Sequence, residues 1–220
     1  MKLKTILIFF FLISVVSLPV LCYSPEITGR IETENKIYTD YIPDRGEETV
    51  DVFEKRMIWL RYRQQLAPGE YYFIRGQYAH SDYRERTYNS SKTFDLWSNY
   101  TFYVREDLRN RCRIDIRDKR YYRAEERSYY RLNLTYQLQY DHDDWQRYTL
   151  ELQRRWNWHK NDNTRDNIRD VVSADWDYDI NENLEITTGL RLVREIHDDY
   201  SASTNKYERR FSLNFKYRPD

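Results

Sequence analysis

The sequence predicts an all-β chain: an antiparallel up-and-down transmembrane β-barrel of about ten strands, with short turns on one side of the membrane and longer loops on the other. Three observations predict it. Apolar and polar residues alternate with period two along most of the chain. Short and long connections alternate between the patterned segments. Tyr and Trp bracket the aliphatic residues of several segments, as rings do where one end is apolar and the other meets water.

The first residues have a different character. Lys2 and Lys4 precede an apolar run from Ile6 to Val16, and Pro19 then breaks it. This is the order of a secretory signal peptide, and the run is short for a membrane helix, which needs about 20 apolar residues. Cleavage after Cys22 divides the chain into a signal, 1–22, and a barrel domain, 23–220. A lipoprotein reading would acylate Cys22, but Leu21 is not the small residue such signals prefer.

The strands follow in order. The segment from Ile27 to Ile42 has the weakest alternation and is a first strand. Ile58, Leu60 and Tyr62 lie opposite Arg61 and Arg63, and Tyr72, Ile74 and Tyr78 opposite Arg75 and Gln77. Phe94, Leu96, Tyr100, Phe102 and Val104 face away from Asp95, Asn99 and Thr101. Ile114 and Ile116 sit among Arg113, Asp115 and Arg117. Tyr130 to Tyr140 and Tyr148 to Leu152 alternate cleanly, and so do Ile168 to Tyr178, Leu184 to Leu192 and Tyr207 to Tyr217. Short turns are expected at Ala67-Pro68-Gly69, Glu106 to Asn110, Asp141 to Asp144 and Asn181 to Asn183. Long connections are expected at Pro43 to Thr49, His80 to Lys92, Asp118 to Ser128, His159 to Asp166 and Asp198 to Lys206.

Composition narrows the function. The chain has 36 basic and 36 acidic residues, so it lacks the basic excess of a general nucleic-acid binder. It has 22 Tyr and six Trp, which argues against disorder despite the high charge. With Cys22 removed, Cys112 is the remaining cysteine, and no disulfide can staple the domain. Cys112 falls on the apolar face, where it is a small hydrophobe.

The polar face would line the lumen. Its charges are Arg61, Arg63, Arg75, Asp95, Arg113, Asp115, Arg117, Arg131, Glu151, Arg155, Asp175, Asp177, Glu185, Arg191, Glu195 and Arg210. About eight strands give a barrel just filled by side chains, and an open channel takes about 16. The expectation is a lumen crossed by Arg–carboxylate pairs, with at most a narrow water path. Arg154 breaks the apolar face, continuing Leu150 and Leu152. At the bilayer midplane it would cost ~2–4 kcal/mol, so it is expected near an interface.

No Gly-x-Ser-x-Gly, phosphate loop or dinucleotide fingerprint is present. His197-Asp198 could be read as a rim dyad, but adjacent strand residues face opposite sides. The histidines have no ligand-like spacing, so no metal or cofactor is expected. The basic, aromatic stretch Arg117 to Arg127 could contact lipopolysaccharide phosphates, or simply extend a strand into solvent.

On these features the chain resembles bacterial outer-membrane β-barrels as a class. Its last strand, with Phe211, Leu213, Phe215 and Tyr217 on one face, resembles the signal such proteins offer to the barrel-assembly machinery. That signal usually ends on an aromatic residue, whereas here Arg218, Pro219 and Asp220 follow. The resemblance implies insertion by that machinery into the bacterial outer membrane, beside lipid and lipopolysaccharide and with possible envelope protein partners. The function expected is a small non-enzymatic barrel, structural or narrowly permeable. The alternatives are a rim-active hydrolase and a soluble periplasmic ligand-binding barrel with the same alternation turned inside out.

Overall fold

Long two-faced segments become long strands. The computed structural model describes residues 24–42, 47–84, 87–197 and 205–218. These form β1 (Glu26–Ile42), β2 (Glu47–Ala67), β3 (Glu70–Tyr83), β4 (Ser91–Arg105), β5 (Leu108–Tyr121), β6 (Tyr129–Asp141), β7 (Gln146–His159), β8 (Asn167–Asn181), β9 (Leu184–His197) and β10 (Lys206–Tyr217). They run from 12 residues in β10 to 21 in β2, against about 5–6 for an average strand. All ten lie in one antiparallel sheet in chain order. Among the described residues no ladder joins β1 to β10, so the sheet is open there. The signal segment and positions 43–46 lie outside the described residues.

The registers keep one face apolar and the other polar across the sheet. One level can be followed through all ten strands: Ile27, Tyr62, Ile74, Ser98, Ile114, Leu134, Arg154, Asp170, Arg194 and Tyr207. It enters β1 at the short-turn end and leaves β10 at the long-loop end. Neighbouring strands are therefore staggered in one sense, and the stagger accumulates to nearly a strand length.

The apolar face is the exposed one. Ile58, Leu60, Phe94, Ile114, Leu152, Leu190 and Phe211 keep between 42% and 71% of their surface accessible. Buried side chains concentrate on the polar face, among them Asp95, Asn99, Thr101, Asp115, Asn133 and Gln139. Curvature toward the polar face would crowd it in this way and spread the apolar face open.

The connections are tighter than the sequence suggests. Three two-residue turns, Pro68–Gly69, Glu106–Asp107 and Glu182–Asn183, each follow a register shift, at Gln65/Ala67, Tyr103/Arg105 and Asp179/Asn181. Such bulges sharpen the local twist. Gly69 has φ +76°, and with Pro68 before it this is a type II turn. The expected turn Glu106 to Asn110 is thus shorter, because the alternation continues through Leu108, Asn110 and Cys112. The expected loop Asp118 to Ser128 shrinks likewise, since β5 runs on to Tyr121. The weak first segment is in fact a 17-residue strand, held by β2 along its whole length.

Three loops repeat one design. Each carries a single 3₁₀ turn: Thr87–Asn89, Glu125–Arg127 and Asn163–Arg165. In each, a side chain at the loop's last residue takes the backbone N–H of the preceding strand's last residue: Ser90 for Tyr83, Ser128 for Tyr121, Asp166 for His159. These positions recur every 38 residues. Successive loops are also linked, through Tyr122 N–H to Ser90 O at 3.2 Å and Lys160 N–H to Ser128 O at 2.9 Å.

Candidate functional site: the polar face

Every charged residue assigned to the lumen lies on the polar face. The registers place Asp95 opposite Arg117, Arg117 opposite Arg131, Arg61 opposite Arg75, and Arg191 opposite Arg210. The ion pairs in the open sheet form along one strand or between neighbouring strands. Arg117 offers Nε and Nη2 to the two oxygens of Asp95. Arg113 Nε meets Asp115 Oδ1 at 2.8 Å on the same strand, and Asn133 donates to the other Asp115 oxygen at 3.0 Å. Arg61 reaches Glu26 at 3.0 Å, Arg210 reaches Glu208 at 2.8 Å, and Glu185 holds Lys216 and Arg218. Thr187 donates to Asp177 at 2.7 Å. Among the described residues, Arg63, Arg131, Glu151, Arg155, Asp175 and Arg191 stand in no ion pair.

Aromatic rings hold some of the cations instead. Arg75 stacks over Trp59 and Trp97, at 4.6 and 5.2 Å from the ring centroids, and Arg63 lies 5.2 Å over Tyr71. Such contacts stabilise a guanidinium without neutralising its charge.

A row of cations on β5 was not foreseen as a unit. Arg109, Arg111, Arg113, Arg117 and Lys119 occupy alternate positions on its polar face, with Asp115 as the one acid among them. Their lateral neighbours are largely neutral: Thr101 and Gln137 flank Arg111, and Asn99 and Thr135 flank Arg113. Arg109 donates to Gln139. The expected turn at Glu106 to Asn110 hid Arg109, and the pairing Arg155–Arg169 became visible only with the register. The period-two spacing of the β5 cations is, however, written in the sequence.

Several buried guanidinium nitrogens on this face make no hydrogen bond. Among the described residues these include Nε of Arg75, Arg111, Arg155 and Arg169. A buried donor left without a hydrogen bond is costly. Near the long loops this face opens a cavity of about 260 Å³, lined by Phe53, Lys55, Asp95, Arg117 and Lys119 among others.

The remaining candidates are local. His197 lies 3.3 Å from Glu195, and its sequence partner Asp198 is outside the described residues. His142 Nδ1 is 3.2 Å from the Tyr140 hydroxyl. In the loop before β8 the Thr164 hydroxyl holds the Asp162 carboxyl below its ordinary pKa. On β10, Phe211, Leu213, Phe215 and Tyr217 share the apolar face and are half or more exposed. Comparison with protein-family models found no match to this chain, and comparison with curated proteins found none.

Proposed function

We propose that the chain is a small, non-enzymatic bacterial outer-membrane β-barrel, exported behind the signal 1–22 and acting as a narrow pore for small anions. The observation that carries the pore reading is the cation row of β5, in which Arg109, Arg111 and Arg113 have neutral lateral neighbours, with buried guanidinium nitrogens nearby that make no hydrogen bond. Permanently charged guanidiniums on a polar wall attract anions and repel cations by simple Coulomb interaction.

Membrane residence is supported by the exposed face. Soluble monomers rarely expose contiguous apolar patches beyond a few hundred Å². Here Ile, Leu, Phe, Tyr and Trp cover one face of ten long strands. A lipid bilayer buries such a face, whereas an inside-out soluble barrel would turn it inward. The alternation of short turns and longer loops, and the even strand count, support the same reading.

Closure would pair β1 with β10. Both edges are long and unprotected, a hazard unless paired. Ile27 and Tyr207 share one level of the open sheet. A closing stagger of about ten residues sets Ile27 against Tyr217, Ile31 against Leu213 and Ile37 against Tyr207. The same register sets Glu26 against Arg218, Glu34 against Arg210 and Lys36 against Glu208, all opposite in sign. At about 3.3 Å per residue along the strands and about 4.8 Å between them, that stagger tilts the strands by roughly 35°, within the range of barrels.

The test is electrical. Mature protein folded into planar bilayers should give small, steady conductances, with a reversal potential in a KCl gradient favouring chloride. Replacing Arg109, Arg111 and Arg113 by Gln should move that potential toward zero. An intact barrel without conductance, or one that prefers potassium, would remove the pore reading.

A further inference from the structure

On β7 to β9 the aliphatic stretch of the apolar face is interrupted by a charged cluster around Arg154. Arg154 donates Nε and Nη2 to the two oxygens of Asp170, at 2.6 and 3.1 Å. Arg194 Nη2 donates to the second oxygen at 2.7 Å. All three residues stand on one level of β7, β8 and β9, on the apolar face. Arg209 stands on the same face of β10, diagonal to Arg194. The cluster therefore sets two guanidiniums against one carboxylate, with Arg209 adding a third positive charge nearby on the same face.

Its surroundings are those of a lipid boundary. Toward the long loops it is followed by Trp156, Trp158, Ile168 and Ile196, and toward the turns by Leu152, Val172 and Leu192. The two ion-paired arginines keep about half of their side-chain surface accessible, 51% and 49%, while Asp170 keeps 21%. Donors beyond those spent on Asp170 thus remain available on the lipid side. Beside the cluster lies a depression of about 590 Å³, lined by Cys112, Ile114, Leu134, Leu152 and Val172, with Arg154 and Asp170 at its edge.

Resting on the membrane reading above, we propose that this surface binds one phosphate-bearing, acylated glycolipid of the outer leaflet. Its phosphate accepts hydrogen bonds from Arg154 and Arg194, and an acyl chain fills the depression beside them. The charge fits: excess positive charge in an apolar belt is costly until an anion meets it, and guanidinium suits a phosphate's oxygens. The position fits too, because the cluster lies near the long-loop ends, the external side in such barrels. A phosphate alone would leave the depression empty, so the lipid is favoured over free phosphate.

The test uses the folded full-length mature protein in neutral detergent, with heat-modifiable gel mobility recorded for every sample. The probes are a bisphosphorylated acylated glucosamine disaccharide, its dephosphorylated form, and inorganic phosphate. Native mass spectrometry counts retained lipid, and thermal unfolding reads its effect. The phosphorylated lipid should be retained and raise the melting temperature, and the other two probes should not. Arg154→Gln with Arg194→Gln should lower retention at least tenfold. Asp170→Asn separates binding from mere packing: it frees both arginines, so retention should hold or rise even as the apo protein loses stability. Equal retention of the dephosphorylated lipid, an equal effect of inorganic phosphate, or no loss in the double variant would overturn the proposal. Loss of heat-modifiable mobility in the unsubstituted protein would instead overturn the barrel reading beneath it.

Discussion

The Ser128 hydroxyl accepts the backbone N–H of Tyr121 at 3.0 Å and so closes the loop between β5 and β6. Ser128 is 2% exposed, so water cannot replace the bond. Ser128→Ala should destabilise the fold by about 1–3 kcal/mol, the cost of a buried unsatisfied donor. Urea unfolding should show it as a lower midpoint with unchanged slope. Ser128→Asp, copying the residue used at Asp166, should recover much of the loss. An unchanged midpoint in Ser128→Ala would show that this bond does not hold the loop.

Gly69 faces Tyr103 across the first short turn. A Cβ at position 69 would stand 2.8 Å from the Tyr103 ring, and the backbone there has φ +76°. Both effects oppose any side chain, so Gly69→Ala should cost more than about 1 kcal/mol. Gly76 is the control, because nothing lies within 4 Å of the Cβ it would gain. If Gly69→Ala and Gly76→Ala unfold at the same denaturant concentration, the turn is not under this constraint.

Closure of β1 on β10 makes a positional prediction. In a Cys112→Ser background, cysteines at Ile31 and Leu213 should cross-link in the folded protein, since facing residues in antiparallel pairs have Cα atoms about 4.5–5.5 Å apart. Ile31 paired with Tyr207 should cross-link poorly, being several residues out of register. Non-reducing gels read both variants. Efficient cross-linking of the second pair but not the first would mean another register.

Cys112 is a built-in reporter. It is exposed, on the apolar face, and flanked by Tyr100 and Tyr136. A fluorophore attached there should emit as in hydrocarbon once the protein is in vesicles. It should be quenched by a nitroxide on the lipid chain and spared by aqueous iodide. The reverse pattern would place this face in water.

Much of the fold was legible because strand alternation is local. Tyr130 to Tyr140 shows its two faces without reference to any neighbour, and each predicted polar-face charge occupies that face in the sheet. The candidate site was less legible. The β5 cations were divided by a turn drawn too long, since turn length depends on how far the partner strand continues pairing. The partners of Arg117 and Arg113 depend on register and rotamer, which alternation leaves open.

Period-two patterning constrains every residue in turn, and it alone makes the chain all-β, two-faced and built of long strands. The assembled sheet adds that the apolar face is the exposed one, that Arg154 meets Asp170 and Arg194, and that four of the five β5 cations stand between neutral lateral neighbours while Arg117 pairs with Asp95. These are relations between strands. They follow from stagger and curvature, which arise when many ladders form together and which no single segment encodes.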